Sequence, residues 1–272
     1  MNPFEVFLTT PILNLLIAFY KLLEVLPFPW PLGFAIILLT VVIRLILWPL
    51  TSAQLRSSQK MAALKPHLDR LKEEHGHDKI RHQQEITKLY KEHQVNPLAG
   101  CLPLILQIPV FIALYNVLLK IVDFNKTDFL ASINDKLYFP VLHLEKIPGT
   151  SFIGFNLSAK PSEWQQIGFL ILLVPLITGA LQFIQSKMMV PAATSKPAKT
   201  NEKQGLEDSM AQMQSQMILI MPLMIAFFSY GFPIGLSLYW NTFTIIGIIQ
   251  QYVIAGPGAL GKYLPTKWEK GN

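Results

Sequence analysis

The sequence predicts an all-α polytopic membrane protein, built as a bundle of five transmembrane helices. Hydrophobic residues make up 51% of the 272 residues, charged residues only 15%, and the mean hydropathy is +0.37. A soluble domain carries roughly 25% charge, so a soluble enzyme and intrinsic disorder are both disfavoured. Residues 209–261 form a 53-residue run without Asp, Glu, Lys or Arg. As one helix this run would be about 80 Å long, whereas a bilayer core is about 30 Å thick, so it contains two crossings.

The five predicted crossings are the long apolar segments of the chain. Gly231, Phe232 and Pro233 divide the last apolar run into a tight hairpin, because glycine and proline end helices. The helix before this break is extended at its start by the helix-favouring sequence MAQMQSQ. The crossings are 32–50, 98–122, 164–186, 215–230 and 234–255.

The N-terminal region, residues 1–31, is predicted to be an interfacial helix on the extracytoplasmic side. Its apolar stretch 12–26 lies between two prolines, which limit a helix to about 22 Å. Asn14, Lys21 and Glu24 make this stretch polar for a spanning helix, so a helix lying on the membrane is favoured. If it spanned instead, the N-terminus would be inside and the other loops would stay where they are. The stretch lacks a basic n-region and a small-x-small cleavage site, so we expect no cleavable signal.

Lysine and arginine are unevenly distributed between the two sides of the predicted bundle. The segments on one side carry sixteen of these residues and those on the other side carry five, while Arg44 and Lys120 lie within crossings. Because short loops rich in Lys and Arg stay in the cytoplasm, the protein is predicted to be N-outside and C-inside. The cytoplasmic segments are the 51–97 hairpin, the 187–214 loop and the 256–272 tail, and the extracytoplasmic ones are 1–31 and 123–163.

Segment 51–97 is predicted to be a cytoplasmic helical hairpin. Its first helix covers residues 52–74 and its second covers 79–94. The turn between them contains two histidines, which we interpret as solvated, since no Cys or carboxylate constellation accompanies them as a metal site requires. In the next cytoplasmic loop, residues 191–208 have the composition of a flexible segment. An apolar stripe along the first hairpin helix is formed by Met61, Leu64, Leu68 and Leu71.

Arg44 is the strongest single feature of the sequence. An arginine inside a membrane helix is unfavourable by about 2.5 kcal/mol or more, so it usually faces water or a partner. One explanation is that Arg44 snorkels to the inner headgroups. The other is a water-filled recess that receives negative charge from elsewhere, which is favoured because Thr40 lies one turn earlier and no Asp or Glu stands within a crossing.

Polar side chains recur at helical spacing in the other crossings. Interhelical hydrogen bonding explains any one of them, but the set together with Arg44 favours a hydrated cavity. These residues are Gln107 in the second crossing, Thr178, Gln182 and Gln185 in the third, and Ser237, Trp240, Asn241 and Thr244 in the fifth.

Catalytic signals are poor, and we expect no enzyme activity, no cofactor and no metal. The sequence has no HExxH, GxSxG or P-loop motif. A single cysteine, Cys101, excludes an internal disulfide and is interpreted as a packing residue.

Three sequence blocks resemble the YidC family of membrane protein insertases. They are TVVIRLILWPLTSAQLRSSQKMAALKP at 40–66, VNPLAGCLPLILQIPVFIALYNVL at 95–118 and FPIGLSLYWNTFTIIGIIQQ at 232–251. The resemblance runs in order from about residue 30 to 255, and it is closest to the short bacterial form. By this resemblance we expect the chain to be without the large extracytoplasmic domain of some members and the long basic tail of others.

The resemblance implies a five-helix core around a hydrophilic groove that opens to the cytosol and lipid and is closed outward. Arg44 matches the groove arginine of the family, and Trp240 matches an aromatic groove position. One of Gln182 and Gln185 matches a groove glutamine, and the two are not distinguished. The 51–97 hairpin matches a cytoplasmic hairpin expected to contact substrate, ribosome or translocase.

The resulting hypothesis is a membrane protein insertase and chaperone of the bacterial inner (plasma) membrane. Its expected partners are nascent membrane proteins, the lipid bilayer, the Sec translocase and the ribosome, with no small-molecule substrate. The substrate groove would be lined by Arg44, Thr40, Gln107, Trp240, Asn241, Gln182 and Gln185. The alternatives are a secondary transporter for small anions that binds its ligand through Arg44, and a passive assembly factor. Against the transporter, no internal repeat or inverted pair of broken helices is found in the sequence.

Overall fold

The structure is a computed structural model that describes residues 2–26, 28–95, 102–122, 129–189 and 206–263. These residues are mostly helical, as predicted, with short 3-10 segments and one two-stranded ladder between the helices. The helices are α1 Thr10–Val25, α2 Pro31–Ile46, α3 Trp48–Ala63, α4 Lys65–His75, α5 Lys79–Glu92, α6 Leu102–Val122, α7 Phe129–Asn134, α8 Trp164–Ile167, α9 Leu173–Met189, α10 Leu206–Gly231 and α11 Ile234–Ala255.

The chain divides into two compact units. The first unit comprises Met1–Leu47, Leu104–Leu181 and Leu223–Ile246. The second comprises Trp48–Pro103, Gln182–Pro222 and Gly247–Asn272. The first therefore contains α1, α2 and most of the apolar core, and the second contains the hairpin helices.

The N-terminal helix is longer than the sequence predicted. A π-helical segment, Glu5–Thr9, runs directly into α1, and Pro11 lies in the first turn of α1. A proline is tolerated there because the first N–H groups of an α-helix have no intrahelical partner. The expectation that Pro11 limits the helix was therefore wrong. Placement on the membrane surface stays a prediction.

The core of the first unit forms where α1 packs against α2, with α6, α11 and the 129–171 region around them. Lipid tails are as apolar as leucine, so inside a membrane such contacts stabilise by close packing and hydrogen bonding rather than by transfer from water. The largest fully buried side chains of this core include Leu13, Leu16, Ile17, Ile36, Leu39, Leu114, Ile121 and Tyr239.

Two predicted crossings are interrupted. The first was expected to reach Leu50, but α2 ends at Ile46 and α3 begins at Trp48. Pro49 explains the break, since its ring clashes with the carbonyl four residues earlier. The third was expected to run from Trp164, but α8 ends before Gly168, whose φ of +114° is a conformation that L-residues rarely adopt.

The last two helices agree with the prediction at their junction. Helix α10 ends at Gly231 and α11 spans Ile234–Ala255, so the two helices meet at the expected Gly231–Pro233 break, and a membrane crossing by α11 stays a prediction. Helix α10 begins at Leu206, which is earlier than the predicted residue 215. The predicted 187–214 loop is thus shorter at both ends, and its residues 190–205 lie outside the described residues.

By length and composition, two helical segments in the described part of the chain are long and apolar enough to cross a membrane. They are Glu5–Val25 and Phe169–Met189, and Pro31–Ile46 together with Trp48–Ala63 would add a third if the pair formed one span. Gln107–Ile121 and Leu219–Gly231 are shorter apolar helices. The count of five crossings stays a prediction.

The hairpin of the second unit has three helices rather than two. The predicted helix 52–74 is divided at Leu64 into α3 and α4, and Pro66 occupies the first turn of α4. Helix α5 begins where predicted, because the Asp78 carboxylate accepts hydrogen bonds from the backbone N–H groups of Ile80 and Arg81, both at 3.1 Å. Leu64 and Ile86 are buried in this hairpin.

The segment after α6 contains the sole strands of the described residues. Ser151–Phe152 pairs antiparallel with Phe155–Asn156, and the turn residues Ile153 and Gly154 have φ of 47° and 81°. Positive φ at both positions is typical of the two-residue turns that join hairpin strands. The all-α class is thus correct apart from this ladder.

Candidate functional site

Arg44 lies in the last turn of α2, and its side chain is only 5% exposed. Its Nε and Nη2 atoms both donate to the backbone carbonyl of Phe243 on α11, at 3.2 and 2.8 Å. The Cζ atom also lies 3.5 Å from the centroid of the Phe243 ring. A guanidinium over an aromatic face is attracted by the ring quadrupole, so one residue of α11 stabilises the charge in two ways.

Thr40, the other predicted site residue on α2, is fully buried one turn before Arg44. Its hydroxyl donates to the carbonyl of Ile36 at 2.6 Å, which is a bond within its own helix. Thr40 therefore has its donor satisfied locally.

Gln107 of α6 contacts α11 as well. Its Nε2 atom donates to the hydroxyl of Tyr239 at 2.5 Å, and the Tyr239 ring lies 6.0 Å from the Phe243 ring. Arg44, Phe243, Tyr239 and Gln107 thus form a connected set, here called the Arg44 row, that joins α2, α11 and α6. Sequence reasoning missed Tyr239 and Phe243, although their spacing of four residues places them on one face of α11.

Trp240 and Asn241 follow Tyr239 on α11 and are both half-buried. The Trp240 ring meets Phe111 of α6 edge-on, with ring centroids 5.4 Å apart. The Oδ1 atom of Asn241 is buried and has no hydrogen-bond partner among the residues that the structure describes. A buried acceptor without a partner is uncommon and calls for a functional or structural explanation.

Gln182 and Gln185 lie on the part of α9 that belongs to the second unit, and both are half-buried. Their place in a groove stays a prediction. Thr178, which the sequence places on the same face, belongs to the first unit.

Three buried hydroxyl groups join α9, α10 and α11 in the first unit. The Ser229 hydroxyl donates to Thr178 Oγ1 at 3.3 Å and lies 2.9 Å from the Ser237 hydroxyl. Thr178 in turn donates to the carbonyl of Val174 at 2.8 Å. For Thr178 and Ser237, interhelical hydrogen bonding is therefore the better of the two explanations that the sequence left open.

The end of the first unit where α2 and α11 begin is closed by the 151–159 segment. The Phe152 ring packs directly on Gly33 of α2, at a position where any Cβ would overlap the ring. The first N–H groups of α11, those of Ile234 and Gly235, donate to the carbonyls of Ala159 and Leu157, each at 2.9 Å. These bonds satisfy donors that a helix start otherwise leaves without partners.

Within the described residues, no group of three or more His, Cys, Asp or Glu side chains is placed to hold a metal ion. The long apolar helices and the arginine buried among them are the features of an integral membrane protein with several helices.

Comparisons with known proteins identify the family. The family model described as 60Kd inner membrane protein matches residues 22–258. The membrane protein insertase YidC of Rickettsia massiliae is 37% identical over 223 residues, which is 82% of this chain and 35% of that protein. That of Syntrophobacter fumaroxidans is 35% identical over 246 residues, covering 90% of this chain and 37% of that protein. The chain thus spans little more than a third of these relatives.

A solved structure agrees with these matches. The crystal structure of an active YidC insertase with its first transmembrane domain resolved superposes with a TM-score of 0.51 at 25% identity, covering 89% of this chain and 46% of that one. The chain belongs to the YidC family of membrane protein insertases.

Proposed function

We propose that this chain is a membrane protein insertase and chaperone, which inserts and folds integral membrane proteins alone or with the Sec translocase. The observation that carries the proposal is Arg44, a charged side chain held among membrane helices by Phe243. The names of the relatives support it, and they do not favour a transporter for small anions.

The Arg44 row would attract the polar, acidic tail of a client protein. Two unit charges 4 Å apart interact by about 4 kcal/mol at an effective dielectric of 20, against about 1 kcal/mol in bulk water. A carboxylate near the guanidinium would therefore be held more firmly in a protein recess than on an open surface. The Phe243 ring and carbonyl keep the guanidinium in place while the tail approaches.

A groove beside this row would shorten the apolar path that the tail must cross. We propose that Thr40, Gln107, Trp240 and Asn241, all of the first unit, line it. The unpartnered Oδ1 of Asn241 supports this, because an acceptor without a protein partner can bind water or a client amide. The packing of Phe152 on Gly33 supports closure at the extracytoplasmic end.

Entry of the client's apolar helix into lipid would drive the process. Burial of apolar surface contributes about 25 cal/mol per Å², and the membrane potential adds about 2.3 kcal/mol per charge per 100 mV for a negative tail. No bond is made or broken in this scheme.

The family is one of inner membrane proteins, and we propose an N-outside, C-inside orientation for this chain in a bacterial inner membrane. The 51–97 hairpin would then face the cytoplasm. Its nine Lys and Arg residues make it the surface most suited to a ribosome or translocase.

Reconstitution tests the proposal. The purified chain in liposomes should insert a small single-span protein with an acidic tail, measured as a protease-protected fragment, and Arg44→Ala should abolish that insertion. A photocrosslinker at Trp240 should label a stalled nascent chain, whereas one at the exposed Lys160 should not. Anion uptake without client insertion would support the transporter and contradict the insertase.

A further inference from the structure

The segment between Asn134 and Leu144 is a closed loop, called here the clamped loop. The Nδ2 atom of Asn134 donates to the carbonyl of Leu144 at 3.0 Å, and the Leu144 N–H donates to Asn134 Oδ1 at 2.8 Å. One side-chain amide thus joins the two ends of the loop. A 3-10 turn, Pro140–Leu142, forms the middle of the loop.

Helix α1 holds the clamped loop through a second amide. The buried Asn14 donates from Nδ2 to the carbonyl of Lys136 at 2.9 Å, and its Oδ1 accepts from the N–H of Tyr138 at 2.7 Å. A buried amide is costly unless both of its ends are hydrogen-bonded. Asn14, whose polar side chain looked unsuited to an apolar helix, therefore fixes the clamped loop to α1.

Ion pairs place the base of the loop at the end of a membrane helix. Glu5 accepts hydrogen bonds from Lys136 and from Lys120, which lies in the last turn of α6. The hydrogen bond to Glu5 raises the pKa of the Lys136 ammonium, so this side chain stays charged. At the other end of α1, Lys146 pairs with Glu24 at 3.0 Å.

The tip of the clamped loop is apolar and exposed. Tyr138, Phe139 and Val141 are 55%, 62% and 79% exposed. Pro140 between them lacks an N–H group, which removes one polar group from the tip. Two amide clamps hold the loop, so these side chains are presented in one arrangement rather than being free to collapse onto the protein.

We propose that this tip inserts into the outer leaflet of the bilayer and anchors the extracytoplasmic side of the protein. A lipid surface fits because the loop base is fixed where α6 ends. Aromatic residues are favoured at the membrane interface, and the Lys146 side chain, which is 75% exposed, suits phosphate headgroups. Exposed apolar residues of the N-terminal helix, among them Phe7 of the π-helical segment and Leu22 and Val25 of α1, extend the apolar surface of the same unit. The assignment to the outer leaflet rests on the orientation given under the proposed function.

Site-directed spin labelling tests the insertion. Cys101→Ser removes the lone cysteine, and Val141→Cys then carries one nitroxide in liposomes of phosphatidylethanolamine and phosphatidylglycerol. The ratio of collisions with oxygen to collisions with a water-soluble nickel chelate should be several-fold higher at Val141 than at the control Lys160→Cys, which is exposed in the same region. Equal ratios at the two positions would overturn the proposal.

The measurement needs no client, so a failure of insertase activity leaves it interpretable. If Val141 is open to nickel in liposomes and becomes protected only when a client is added, the tip docks protein instead of lipid, and the proposal is wrong. Phe139→Cys provides a second label if Val141→Cys does not fold.

Asn14→Leu tests the clamp itself. It should add a mobile component to the Val141 spectrum and bring the oxygen-to-nickel ratio toward the Lys160 value. An unchanged spectrum would show that Asn14 does not hold the loop in place.

Discussion

The guanidinium of Arg44 and the backbone carbonyl of Phe243 are joined by two hydrogen bonds, and the Phe243 ring covers the same guanidinium at 3.5 Å. The sequence had suggested a charge facing a water-filled recess. The structure shows that α11 provides an acceptor and an aromatic face for it, and the recess itself stays a prediction. A planar guanidinium fits this arrangement, whereas an ammonium is a point charge that cannot bond and stack in the same way.

Replacing Arg44 should therefore separate charge from geometry. Arg44→Ala should block insertion of clients with acidic tails. Arg44→Lys should retain activity, since the charge remains, but reduce it by up to about tenfold, because the forked contact to Phe243 is lost. The rate of appearance of protease-protected client in liposomes measures both effects.

Arg56→Ala is the matched control, since Arg56 is an exposed arginine of α3. It should leave insertion unchanged in liposomes that contain neither ribosome nor translocase, the partners proposed for the 51–97 hairpin. Full activity of Arg44→Ala across a panel of clients would rule out charge attraction, and equal activity of Arg44→Lys and wild type would show that the fork is unimportant.

The hydrogen bond between Gln107 and Tyr239 should be detectable as a coupling energy. Tyr239→Phe removes the fully buried hydroxyl that accepts from the half-buried Gln107 amide, and this should lower the free energy of unfolding by about 1 kcal/mol. Gln107→Leu should destabilise similarly, because it leaves the Tyr239 hydroxyl unpaired. The midpoint of denaturant unfolding in detergent micelles measures each change.

The double variant Gln107→Leu with Tyr239→Phe should be less destabilised than the sum of the single changes, since it removes both partners together. Strict additivity would mean that this contact contributes nothing to the packing of α6 on α11.

Gly33→Ala should destabilise the first unit, because its Cβ would overlap the ring of Phe152. Overpacking of this kind typically lowers the free energy of unfolding by about 1–3 kcal/mol, more than the roughly 1 kcal/mol by which alanine favours a helix over glycine. Thermal unfolding in detergent would show the loss. Phe152→Leu should relieve part of it when combined with Gly33→Ala.

Gly149→Ala controls for the substitution itself, since no heavy atom of the described residues, apart from Gly149 and its two chain neighbours, lies within 4 Å of its added Cβ. A loss as large at Gly149 as at Gly33 would contradict the steric explanation.

Gln250→Leu should loosen the start of the hairpin in the second unit. The buried Gln250 amide donates to the carbonyl of Trp48 at 3.2 Å and to the hydroxyl of Thr51 at 2.5 Å. These bonds tie α11 to the first turn of α3, so their loss should free that turn. Trypsin cleavage at Arg56 and Lys60, both exposed in α3, should become faster.

Gln251→Leu is the comparison. Gln251 donates to the carbonyl of Met188 at 3.2 Å, but its Oε1 atom is buried without a partner among the described residues. Its replacement removes an unsatisfied atom together with a bond, so it should change cleavage in α3 little. Equal acceleration by both variants would argue against a specific role of Gln250.

The parts of the fold that could be predicted are those encoded by neighbouring residues. The start of α5 follows from Asp78 and the junction of α10 and α11 from Gly231–Pro233. The breaks after Ile46 and at Gly168 were missed, because hydropathy measures how apolar a segment is and not whether its backbone stays helical. The first of these breaks could have been predicted from the sequence, because Pro49 lies beside it. The length of the N-terminal helix was underestimated because Pro11 is harmless in a first turn.

The sequence by itself determined that this chain is a helical membrane protein of the YidC family and that Arg44 is its most unusual residue. Composition, apolar length and motif order are local properties, so they could be read without coordinates. Only the tertiary structure decided that Arg44 contacts Phe243, 199 residues further along the chain. It likewise showed that Gln107 contacts Tyr239 and that Asn14 holds a distant loop. A buried polar group must find its partner on another element, and no local pattern specifies which element packs beside it.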